Sequence, residues 1–132
     1  MSEPFDRQAL ITYRLEQARE TLRDASLLFE NGGSSSSVVN RAYYTIFYAT
    51  LALMVERQIS ASKHSGVIAR FDQEFVKSGI FPKAMSRILH HAFDLRQIGD
   101  YRELLSLTRE QAQKVLQDAE EFLLAVEARF SK

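Results

Sequence analysis

The sequence predicts an all-α fold, a helical bundle of four to five helices. Apolar residues recur at spacings of three and four over most of the 132 residues, and no stretch alternates with the period of two that a half-buried strand needs. The periodic stretches are separated by short runs rich in glycine, serine, asparagine or proline. A chain of this length with 45% apolar residues builds one core, so a single domain over 1–132 is expected.

The first helix is predicted from about Asp6 to Glu30, where Leu15, Ala18, Leu22, Ala25 and Phe29 draw one apolar stripe. Asn31-Gly32-Gly33 ends it, because asparagine and glycine tolerate a left-handed C-cap, and the serines Ser34 to Ser37 can accept the free amides of a new helix. So short a connection makes the two helices antiparallel neighbours. The second helix, about Ser36 to Gln58, has apolar residues around most of its circumference, from Val38 and Val39 through Ile46 and Phe47 to Leu53 and Met54. It is expected to be the most buried element. Asn40, Arg41, Tyr44 and Tyr48 form a polar and aromatic strip along one of its faces. A third stretch, about Val67 to Ser78, steps through Val67, Phe71 and Phe75 and stops at Gly79. Pro82 suits the first turn of a fourth helix, Lys83 to about Ile98, which Gly99 is expected to interrupt. The last helix starts at Thr108, where Gln111 three residues on completes a capping-box signature. Ala112, Val115, Ala119, Phe122 and Val126 carry its stripe.

Composition removes several functional classes. Seventeen basic residues balance seventeen acidic ones, so no chain-wide positive field marks a nucleic-acid binder; an RNA contact has to come from a local patch or from a surface that a dimer assembles. The absence of cysteine rules out disulfides, thiolate zinc sites and cysteine nucleophiles, and fits a reducing compartment. No apolar run approaches the roughly 20 residues that span a bilayer, and the N-terminus lacks the pattern of a secretory leader, so no membrane association and a cytoplasmic location are expected. His90 and His91 are adjacent on a helix and diverge by about 100°, which prevents joint ligation of one ion. One is expected on the surface and one facing the core, with no metal and no cofactor. Gly32-Gly33 lacks a P-loop lysine pattern and a preceding strand, which leaves it as a helix stop.

One segment departs from the bundle pattern. In "FDLRQIGDYREL", residues 93–104, Arg96, Asp100 and Tyr101 fall within two turns of each other. Metal-free RNA hydrolysis needs a proton-exchanging group beside a cation that steadies the developing phosphorane charge. Arg96 can be the cation, but a carboxylate and a phenol with ordinary pKa values of about 4 and about 10 are not poised for proton exchange at neutral pH. A structural alternative is a buried polar network in which Arg96 pairs with Asp100, Arg41 reaches Asp100 from the second helix, and Tyr101 turns inward against Tyr44 or Tyr48. On the residues alone the network outweighs catalysis.

Three separated motifs, "SVVNRAYYTIFYATLALM", "KHSGVIARFDQEFVKSGIF" and "LRQIGDYR", occur in an order that resembles the HEPN superfamily, specifically its small single-domain prokaryotic branch. The resemblance runs from about Ser34 to Arg102. It implies an up-and-down bundle, a symmetric homodimer and, in many members, metal-independent endoribonuclease activity of a toxin encoded beside a minimal nucleotidyltransferase antitoxin. In ribonuclease members an arginine and a histidine, four to six residues apart at the start of a late helix, meet their copies in the dimer cleft. Arg96 matches the arginine, while Tyr101 stands where the histidine is expected. The resemblance therefore nominates Arg96, Asp100, Tyr101 and His64 as catalytic candidates. Arg41, Tyr44 and Tyr48 are its candidates for holding RNA or a nucleotide. Tyr101 is also a candidate for modification by the nucleotidyltransferase. The competing expectations are a non-catalytic nucleotide- or RNA-binding or protein-interaction dimer, and a dimer in which the polar strip serves packing alone.

Overall fold

The computed structural model describes residues 6–100 and 106–131. α1 (Arg7–Glu30) opens at Asp6, whose carboxylate accepts from the Ala9 amide at 3.1 Å. It closes at Asn31, and Gly32 follows with φ +77°, the left-handed value for which the glycine is needed. α2 (Ser35–Arg57) starts under Ser34, whose hydroxyl accepts from the Ser37 amide at 3.1 Å. α3 (His64–Phe71) passes into a π-helical turn, Asp72–Val76, and Gly79 then reverses the chain with φ +87°. α4 spans Lys83–Asp100. α5 (Arg109–Phe130) carries the expected capping box: the Gln111 amide donates to Thr108 Oγ1 at 3.0 Å, and the Thr108 amide donates to Gln111 Oε1 at 2.8 Å.

The long helices alternate in direction. Arg109, at the start of α5, donates to the Phe29 carbonyl at the end of α1, while Arg129 pairs with Glu56 at the far end of α2. The end of α4 meets the start of α2 at Gly99 and Ser36. α1 and α4 therefore run one way and α2 and α5 the other. This is an up-and-down bundle with α3 as a short addition, and it contains no strand among the described residues. α2 packs on α1, α5, α4 and α3, which is why its sequence is apolar nearly all round. Val38, Val39, Ala42, Tyr43, Ile46, Ala49 and Leu53 are fully buried along it. At about 1.5–3 kcal/mol for each large apolar side chain removed from water, this central helix is the main source of cohesion. No helix among the described residues is long and apolar enough to cross a membrane.

Three local expectations are corrected. The third helix begins at His64 rather than Val67, because the Lys63 carbonyl already accepts from the Val67 amide at 3.0 Å, and it is α-helical only to Phe71. Gly99 does not interrupt α4, which continues to Asp100. Gly99 is buried within the helix, and a Cβ there would lie 3.2 Å from Leu107 Cδ1 and 3.4 Å from Ser36 Oγ. The glycine serves close approach, not a break. Neither of the paired histidines faces the core: both are exposed, and His90 Nε2 meets Asp72 Oδ2 at 2.6 Å while Ser86 donates to Asp72 Oδ1 at 2.7 Å. That contact ties α4 to the π-helical turn.

Candidate functional site

Because α4 runs antiparallel to α2, its last turns lie beside the first turns of α2, and the "NRAYY" stretch faces the "FDLRQIGD" stretch. A cleft of about 380 Å³ opens between them. Arg41 and Asn40 of α2 line one side and Arg96 and Asp100 of α4 the other, with Ser36 and Ser37 at the α2 end. The buried Gly99 leaves the room that a side chain would fill.

The cationic groups lie on aromatic rings. The Arg96 guanidinium carbon is 5.5 Å from the Tyr43 ring centre and 5.4 Å from that of Tyr44, and Arg41 is 5.3 Å from Tyr44. Partly desolvated cation–π contacts are worth about 0.5–2 kcal/mol each, enough to fix both guanidinium groups without a strong ion pair. The ion pair of Arg96 is correspondingly loose. Its Nε is 3.7 Å from Asp100 Oδ2, beyond hydrogen-bond reach, and this buried nitrogen has no hydrogen-bond partner among the described residues. The Arg96 side chain is 23% exposed against 53% for Asp100, so the carboxylate stays largely in water.

His64 joins this cluster from α3. Its ring stacks on Phe47 at 4.2 Å and 9°, stacks on Tyr43 at 5.7 Å and meets Tyr44 edge-on at 5.8 Å. Its Nδ1 is 2.6 Å from the Tyr43 hydroxyl. Arg96 and His64, far apart in sequence, thus share the same two tyrosines. Burial pushes the Tyr43 phenol well above its ordinary pKa, against the opposing pull of Arg96. The His64 imidazole is held below its ordinary value, first by burial and then by the positive charge of Arg96. The phenol stays neutral and has no other acceptor among the described residues, so its proton goes to Nδ1 and the imidazole proton to Nε2.

The expected network is therefore redrawn. Arg41 donates to its neighbour Asn40 Oδ1 from Nε at 3.1 Å and from Nη2 at 2.9 Å, and does not bond Asp100. Asp100 caps no tyrosine hydroxyl among the described residues. Tyr48 lies against Tyr44 at 5.7 Å, at the edge of the cluster. Tyr101 lies outside the described residues. Arg96 sits in the last turns of α4 and not at the start of a late helix. Sequence reasoning missed Tyr43, which the strip assignment passed over. The signal was available: Val39, Tyr43 and Ile46 share the buried face, and a buried phenol needs a polar partner. Among the described residues, no group of three histidine or acidic side chains is placed to hold a metal ion.

The chain is an all-α up-and-down bundle with a cleft between its second and fourth helices that Arg41 and Arg96 line. The HEPN domain family matches residues 11–129, and the chain belongs to that family. It is 41% identical over 122 residues to a UPF0332 protein of Thermotoga maritima, covering 92% of each chain. Two Methanocaldococcus jannaschii proteins are also similar. "Putative toxin MJ0605" is 37% identical over 88% of this chain and 82% of the relative, and "Putative toxin MJ0142" is 30% identical over 83% and 74%.

Proposed function

We propose that this HEPN-family protein is the toxin-like, RNA-binding component of a pair with a minimal nucleotidyltransferase and works as a homodimer. The observation that carries this reading is Arg96: a guanidinium held on Tyr43 and Tyr44, whose buried Nε has no hydrogen-bond partner among the described residues, lining a cleft together with Arg41. A backbone phosphate supplies the acceptor that Asp100 does not. The names of the two archaeal relatives support the toxin-like assignment.

A second reading, metal-independent cleavage of the bound RNA, rests on the placement of His64 beside Arg96. With the proton on Nε2, the imidazole donates a hydrogen bond to a phosphate oxygen. Acting as a base requires the other tautomer, which strands the buried Tyr43 proton at a cost of about 1–3 kcal/mol. The tautomer set by Tyr43 thus favours His64 as a hydrogen-bond donor over proton abstraction. Incubation of the purified protein with tRNA and mRNA in EDTA tests both. Retention of RNA without cleavage supports binding alone, and cleavage that Arg96→Ala and His64→Ala both abolish supports the second reading. No retention and no cleavage contradicts both. Co-expression with the neighbouring gene product, followed by mass spectrometry of Tyr101, tests the nucleotidyltransferase pairing.

A further inference from the structure

The cleft continues past Arg41. A second hollow, lined by Asp24, Leu27, Leu28, Asn31, Gly33 and Arg41, opens on the α1 side, and it shares Leu28 and Arg41 with the first. Asp24, Leu27 or Leu28, and Asn31 are three and four residues apart, so α1 presents them on one face. Leu27 is 51% exposed, one of the few large apolar side chains left so open among the described residues. Gly33 closes the wall: its amide donates to the Leu28 carbonyl at 2.6 Å, and a Cβ there would meet that oxygen at 2.8 Å.

On the α1 side of this hollow, away from Arg41, the polar side chains are Asp24 and Asn31. Asn31 donates one amide hydrogen to the Leu27 carbonyl at 2.8 Å, which leaves Oδ1 to accept and one N–H to donate. Asp24 is exposed and has no hydrogen bond or ion pair among the described residues; Arg41, which lines the same hollow, donates instead to Asn40. The polarity along the joined clefts therefore runs from cations at Arg96 and Arg41, across leucine, to the free carboxylate of Asp24 and the amide of Asn31. A nucleotide has the complementary order: an anionic phosphate, an apolar ring face, and a base edge that can donate.

We propose that the hollow is a base subsite that takes a guanine of the RNA whose phosphate lies on Arg41 and Arg96. It rests on the RNA-binding function proposed above. Guanine fits best because N1–H and the N2 amino group form two adjacent donors that match the two oxygens of a carboxylate. Adenine and cytosine set a ring acceptor beside their amino group, and uracil flanks its single N–H with two carbonyls, so each brings an acceptor against Asp24.

The test compares labelled single-stranded oligouridylates with otherwise identical strands carrying one guanosine or one inosine, in the wild-type protein and in Asp24→Asn and Arg96→Ala. The guanosine strand is expected to bind about tenfold more tightly than oligouridylate, the size of effect a bidentate base contact gives. Inosine, which lacks the N2 amino group, should lose most of that gain. Because Asp24→Asn also removes a repelling charge, the ratio of guanosine to uridine affinities is the readout, and it should fall to about one. Equal binding of the two strands by the wild type, or a ratio that survives Asp24→Asn, overturns the subsite. In that case oligouridylate binding that Arg96→Ala abolishes still upholds RNA binding. Failure of the wild type to bind any strand overturns RNA binding and the subsite together.

Discussion

His64 Nδ1 and the Tyr43 hydroxyl are joined at 2.6 Å, and neither has another hydrogen-bond partner among the described residues. The bond couples the charge state of the imidazole to a buried phenol. Protonating the ring turns Nδ1 into a donor and deprives the phenol of its acceptor, which acts in the same direction as the burial and the Arg96 charge that hold the imidazole pKa down.

His64 should therefore titrate below an ordinary histidine, and Arg96→Ala should raise its pKa by removing a like charge. An NMR titration of the His64 ring in both proteins measures this, and an unchanged pKa would separate the two groups. The linkage follows from the sign. The folded pKa is depressed, so the unfolded chain holds more protons between the two values. Stability is full above the unfolded value of about 6.5, falls as the pH drops through it, and levels off below the folded value. Denaturant midpoints across this window should fall less on acidification for His64→Gln than for the wild type.

Gly99→Ala should leave stability within about 1 kcal/mol of the wild type. The alanine gains about 1 kcal/mol of helix propensity while its Cβ presses Leu107 Cδ1 at 3.2 Å, a side-chain tip that can yield by a few tenths of an ångström. Gly99→Leu has no room and should cost about 1–3 kcal/mol or more. Chemical denaturation of the two variants checks this. An alanine that costs several kcal/mol would mean that the position needs a glycine conformation and not merely space.

Asp100→Asn should tighten RNA binding severalfold, since it removes a half-exposed negative charge 3.7 Å from Arg96 without altering the ring stacking. Competition binding against the wild type measures it. Weaker binding, or cleavage lost with binding kept, would restore Asp100 as a group that acts on the substrate.

The bundle was legible because its helices obey local rules. The stripe of α1, the all-round apolar surface of α2 and the Thr108–Gln111 box each follow from a short window of sequence. The site was legible in part. Arg41 and Arg96 were picked out by the residues and by the family resemblance, and they do line one cleft. The pairing of Tyr43 with His64 was not legible, because Tyr43 finds His64 only through the docking of α3 on α2, a contact that no spacing rule encodes. Gly99 misled for a related reason: within one helix a glycine looks like a stop, and only the approach of Ser36 and Leu107 shows why the helix runs through it.

The central claim is that Arg96 and Arg41 hold an RNA phosphate. The salt dependence of single-stranded RNA binding tests it most directly, in the wild type and in Arg96→Ala and Arg41→Ala. Each arginine that contacts a phosphate should contribute about 0.7 to the slope of log affinity against log salt concentration on a single strand, so each substitution should weaken binding and flatten that slope by about this amount. Affinity and slope unchanged in Arg96→Ala would contradict the claim.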